Sequence, residues 1–119
     1  GPFTDSRASE GQVQGALADA LEQALAGGLL FDDEGRPRAR SLRRWPLVAA
    51  VDVPPLSVTF LPEGEPCSRF GAAALGEAAA RAALAAIVNA VSQATGARPR
   101  ELPLSPIRVL DALASRGRP

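Results

Sequence analysis

No histidine, lysine, tyrosine or methionine occurs anywhere in this chain, and all 13 basic residues are arginine. Those absences remove histidine general bases, histidine metal ligands and Schiff-base lysines together. Cys67 is the single cysteine, so an intrachain disulfide is excluded. With a proline before it and no histidine to activate it, Cys67 reads as a loop or core thiol, not a nucleophile. One cysteine is compatible with a reducing, cytoplasmic compartment. Net charge is also missing: 13 basic residues meet 13 acidic ones, so nothing favours a nucleic acid or an anionic membrane surface as partner. There is no run of about 18 apolar residues and no legible signal peptide. No protein metal ligand set is expected.

What is present is alanine, arginine and enough apolar residue for a core, 46% of 119 residues, which is a one-domain length. The arginine and alanine excess reads as base-composition bias. Gly1-Pro2, with no methionine, reads as a cleavage remnant, and residues 1–10 as that remnant plus a flexible arm. From Gly11, Val13, Leu17, Leu21 and Leu25 recur every four residues, predicting an amphipathic helix stopped by Gly27-Gly28. Leu29-Leu30-Phe31 reads as a short strand, Asp32-Asp33-Glu34-Gly35 as its turn, and residues 36–40 as the return strand. Residues 47–53 could pair briefly. Residues 56–61 alternate, with Leu56, Val58 and Phe60 on one face. Residues 62–69 read as a loop.

The strongest helix is expected over residues 77–95, with Leu84, Ile87, Val88 and Val91 as its stripe and Gly96 as its cap. Residues 98–104 read as a strand. Ser105-Pro106 starts a short helix through Ala114 with Val109, Leu110 and Leu113 as its apolar face. The expected fold class is α+β, a single two-layer domain over 11–114 of about three helices on a small mixed or antiparallel sheet. Residues 115–119 form a frayed tail.

Leu75-Gly76-Glu77 places a carboxylate at a helix start, where an acid or base can be presented to a ligand. Around it lie Gly11-Gln12-Val13-Gln14-Gly15, Phe31-Asp32-Asp33-Glu34-Gly35 and Ala50-Val51-Asp52-Val53-Pro54-Pro55. Asn89-Ala90-Val91, Ala94-Thr95-Gly96 and Glu101-Leu102-Pro103-Leu104-Ser105-Pro106 follow. In this order and spacing they resemble the C-terminal end of the molybdenum-binding subunit of the xanthine dehydrogenase and aldehyde oxidase family, across residues 9–114.

The resemblance implies an oxidoreductase context, a molybdenum hydroxylase with a molybdopterin cofactor. It implies that Glu77 is the general base at the metal centre, that Gly76 lies next to that centre, and that Gln12 helps hold the cofactor. A desolvated carboxylate beside a metal is a stronger base than a solvated one. Three departures accompany the match. Ala78 stands where the family reads Gly-Glu-Pro, Ala73-Ala74 replace a lysine and a glycine, and Arg44-Trp45-Pro46-Leu47 replace an Asp-Tyr-x-Ile-Pro stretch. The family subunit is several times longer, so molybdopterin is expected only if a larger molybdenum-binding partner chain completes the site.

Two other readings stay open. One is a molybdenum-free descendant doing acid/base chemistry (isomerase, cyclase or dehydratase) on a small-molecule substrate through Glu77 in a closed pocket. The other is a non-catalytic binding or scaffold domain with Glu77 solvated and paired to Arg81. A dimer is compatible with each. Asp32, Asp33 and Glu34 read as a solvated turn, and Arg36, Arg38, Arg40, Arg43 and Arg44 as an exposed strand and loop. Trp45 reads as a core or interface anchor.

Overall fold

A computed structural model describes residues 5–61 and 75–115. Residues 1–4, the expected loop with Cys67, the Ala72-Ala73-Ala74 stretch and the tail beyond Ser115 lie outside the described residues. Among the described residues three helices form: α1 (Ser6–Leu25), α2 (Gly76–Thr95) and α3 (Pro106–Ala114). Two single 3₁₀ turns, Leu42–Arg44 and Ala50–Asp52, interrupt the long connection between α1 and α2.

α1 begins at Ser6, before the expected Gly11, because Asp5 caps it. The Asp5 carboxylate accepts the backbone N–H groups of Arg7 and Ala8 at 2.9 and 3.0 Å, satisfying two orphan donors of the first turn. At the other end, Ala26 and Gly27 both donate to the Glu22 carbonyl. A Cβ on Gly27 would sit 3.0 Å from Gln23 Cα and from Glu22 O, so any other residue would crowd the backbone at this helix end. α2 ends where expected, with Gly96 in the left-handed region at φ 64° and its N–H on the Ser92 carbonyl. α3 starts at Ser105, whose hydroxyl accepts the Arg108 N–H at 3.4 Å, followed by Pro106.

α1 and α2 pack on each other, and contacts advance in the same direction along both. Gly76 faces Ala16 near the start of the pair, and Leu17 and Leu21 share a cavity with Ala83, Ala86 and Ile87 further along. The two helices therefore run parallel. The deepest positions are not the leucines of the four-residue repeat but the alanines between them, Ala20 and Ala24, at 1% and 0% exposure. Small residues let the backbones approach; Leu17 and Leu21 flank the contact half-buried, and Leu25 is exposed. Ala97 and Leu104 complete the buried set, and Leu104 N–H donates to the Ala24 carbonyl. The last segment is thereby pinned to the C-terminal end of α1.

The expected α+β class is corrected: among the described residues there is no strand and no sheet. The hairpin shrinks to one antiparallel bridge between Phe31 and Pro37, closed by Asp32 N–H to Arg36 O and Arg38 N–H to Leu30 O. Pro37 has no N–H to extend the ladder, and Leu29, Leu30 and Phe31 stay half exposed at 54%, 52% and 51%. Residues 47–53 take a 3₁₀ turn instead of pairing. Residues 56–61 keep the predicted alternation, with Leu56, Val58 and Phe60 half-buried and Ser57, Thr59 and Leu61 exposed, without being assigned as strand. In residues 98–104, Pro99 and Pro103 each remove a ladder donor, and the segment runs as bends. The local signals for extended chain were real, but strands pair only where two free edges meet.

Candidate functional site

A groove of about 690 Å³ opens between α1, from Gly11 to Glu22, and the first turns of α2. Its third wall is Val48 and Val53 from the connection. The three site residues read from the sequence all border it: Gln12 from α1, and Gly76 and Glu77 from the first turn of α2. The parallel packing brings them together, because both helices present their early residues to the same side. On α1 the lining runs Gln12, Gly15, Ala16, Asp19 and Glu22, steps of three and four that follow one helical face.

The floor is shallow. A Cβ added at Gly11 or Gly15 would meet nothing within 4 Å, and one at Gly76 would meet only Ala16 Cβ at 4.0 Å. These glycines leave the backbone accessible to a flat ligand. Gln12 is exposed, and its amide makes no hydrogen bond among the described residues. Leu75, at the N-cap of α2, contributes no side-chain cap.

Glu77 stands at the rim. Its side chain is 69% exposed and pairs with Arg81 one turn on. An exposed pair of this spacing contributes only about 0.3–0.5 kcal/mol, so the pair does not hold the carboxylate in place strongly. Glu22 is better held: its Oε1 accepts the Trp45 indole N–H at 2.9 Å. That bond ties the connection to α1 beside the groove. Asp19 and Glu22 were not singled out in the sequence, although their helical spacing from Gln12 carried the signal. The Trp45–Glu22 contact, 23 residues apart across a loop, had no sequence signal.

The groove is acidic, with Asp19, Glu22 and Glu77 and no basic residue among its lining. Its chemistry fits one wall of a cofactor site: an amide donor, glycine-exposed backbone and a carboxylate at the rim. It does not supply the cations that a cofactor phosphate needs. The Arg36–Arg44 cluster lies on the surface of the connection and does not join the groove. Asp32 is engaged in its own turn, its Oδ1 accepting the Arg36 N–H at 2.7 Å. Among the described residues no group of three or more His, Cys, Asp or Glu could hold a metal ion. No helix among them is long and apolar enough to cross a membrane.

No family model matches the chain. Relatives at the level of single proteins are clear. The chain is 35% identical over 104 residues to the putative xanthine dehydrogenase molybdenum-binding subunit XdhA of Escherichia coli (strain K12), covering 87% of the chain and 14% of the relative. It is 30% identical over 104 residues to the probable hypoxanthine oxidase XdhD of the same organism, covering 87% of the chain and 11% of that protein. It is 31% identical over 113 residues to an aldehyde oxidoreductase of Megalodesulfovibrio gigas, covering 95% of the chain and 12% of the relative. Nearly the whole chain thus corresponds to a small part of each relative, as expected of the C-terminal segment its motifs suggest. The chain belongs, as a segment-length homologue, to the xanthine dehydrogenase and aldehyde oxidoreductase family of molybdenum-binding subunits.

Proposed function

We propose that this chain is the C-terminal piece of a molybdenum hydroxylase large subunit and supplies one wall of its active site, the rest coming from a larger partner chain. The observation that carries this reading is the groove itself. Gln12, Gly76 and Glu77, matched to the family by motif alone, converge on one face although more than 60 residues separate Gln12 from Gly76.

In this reading Gln12 donates its side-chain amide to the pterin. Gly76, without a Cβ, lets the cofactor approach the start of α2. The partner holds the phosphate, because the groove's own charges are acidic. Bound there, molybdopterin supplies the redox chemistry. Glu77 accepts the proton released as the substrate is hydroxylated. In the isolated chain Glu77 is solvated; in the completed site it is shielded from bulk water and acts as the base. Arg81 competes for the carboxylate until docking.

Among the described residues the groove is open and Glu77 exposed, an arrangement that suits one wall of a shared site. The substrate class follows the relatives: a purine such as hypoxanthine or an aldehyde. Metal and pterin analysis of the chain purified from its host tests the proposal. Molybdenum and molybdopterin are expected in the fraction where the chain elutes with a larger protein. Their absence from that fraction, or a native chain eluting alone with full activity, overturns it.

A further inference from the structure

We propose that the outer face of α3 is the docking surface for the cofactor-binding partner chain, an inference that rests on the reading above. α3 has only two polar side chains, Arg108 and Asp111, in nine residues. Its inner side carries the half-buried Val109 and Ala112. Its outer side carries Ile107 and Leu110 at 70% and 63% exposure. An amphipathic helix buries its apolar face against another surface, yet the Ile107–Leu110 side of this one is bare among the described residues.

The helix's single cation is also withdrawn from that side. The Arg108 guanidinium donates to the carbonyls of Leu102 and Pro103 and lies 3.7 Å from Glu101. Asp111 falls at the border of the Ile107–Leu110 face, 40° past Ile107 on a helical projection. The patch therefore suits an uncharged apolar partner surface and offers no counter-charge to an anionic one. Leu29 and Leu30 are exposed at the same end of the molecule, where Gly28 abuts Pro103.

The occupant is indicated by chain length. In the relatives this segment is between 11% and 16% of the protein, so a body several times larger accompanies it. Gln12, the groove residue matched to the cofactor, lies toward the other end of α1, although the groove's lining reaches Glu22. Gln12 and Ala24, where the last segment is pinned, are 12 residues apart, or roughly 18 Å along the helix. Docking and chemistry can thus be separated by mutation.

The test uses the full chain, affinity-tagged and purified from its host as wild type, Ile107→Glu/Leu110→Glu and Glu77→Gln. The captured partner is identified by mass spectrometry as a protein carrying the remaining molybdenum-binding segments, and by its pterin content. Wild type and Glu77→Gln are expected to retain it equally, while the double variant loses at least about ten-fold of it with unchanged helical circular dichroism. If the double variant misfolds, Leu110→Ser alone, with the same helicity control, carries the test. Full capture by a folded α3 variant overturns the docking assignment while leaving the groove reading intact. Full activity of Glu77→Gln in the complex overturns the groove reading while leaving docking intact. A wild-type chain that sediments as a dimer and becomes a monomer on α3 substitution, with no pterin protein captured, shows that a second copy covers the face and overturns the proposal.

Discussion

The two ends of the α1–α2 pair are built for different purposes. At the C-terminal end, Ala20, Ala24, Ala97 and Leu104 form the buried set, and a backbone bond from Leu104 to Ala24 locks the last segment on. At the N-terminal end, Gln12, Gly76 and Glu77 surround an open groove whose glycines touch almost nothing. One end holds the chain together and the other leaves polar groups uncovered. Stability and chemistry are therefore carried by different residues, and substitutions should sort accordingly.

The largest effect is expected at the packed end. Leu104→Ala removes the largest buried side chain and should cost about 2–4 kcal/mol in urea unfolding. An effect below about 1 kcal/mol would mean that this end is not the structural anchor. Next is Asp5→Ala, which deletes the cap of α1 and should cost about 1 kcal/mol, seen as lost helicity in the first turns. Trp45→Phe keeps an aromatic ring but removes the donor to Glu22 and part of the indole's volume, costing about 1 kcal/mol or more. Its more telling readout is faster amide exchange over residues 46–53, the third wall of the groove. Unchanged exchange there would show that the Trp45–Glu22 bond does not hold that wall. The smallest effect belongs to the groove rim: Arg81→Ala should change stability by no more than about 0.5 kcal/mol. A larger loss would make the Glu77–Arg81 pair a structural element and blur the contrast between the ends.

The two ends also differ in how far the sequence disclosed them. The three helices were legible from apolar periodicity, from Gly96 and from the Ser105-Pro106 start, because those signals are local. The core was legible only in part. The leucine repeat marked the correct face of α1, but close helix approach favours the alanines between, which a reading based on large apolar residues overlooks. The sheet expected from the sequence does not form among the described residues. Extended propensity at residues 29–31 and 56–61 and the turn at Asp32–Gly35 were read as pairing, but pairing depends on partners that sequence patterns do not supply. Pro37, Pro99 and Pro103 each withhold a donor where a ladder would have run. Glu77, Gly76 and Gln12 were reached through motif resemblance, and no composition argument would have chosen them over other exposed polar residues. Asp19 and Glu22 were recoverable from helical spacing once Gln12 was placed. Trp45 was not, because its partner lies across an irregular connection.

The corrected architecture sharpens the functional reading. A two-layer domain could have enclosed its own pocket. Among the described residues the helix pair and its trailing segment leave the groove open and Ile107, Leu110, Leu29 and Leu30 exposed. Both features fit the proposal of a larger assembly, and the chain spans only 11% and 14% of the length of two of its relatives.

The most direct test is the rate of substrate oxidation by the complex containing Glu77→Gln, at molybdenum and pterin content matched to wild type. Glutamine keeps the side chain's size but cannot accept the proton, so the rate is predicted to fall by about 10²–10⁴-fold. A complex that keeps its wild-type rate with glutamine at position 77 would contradict the account.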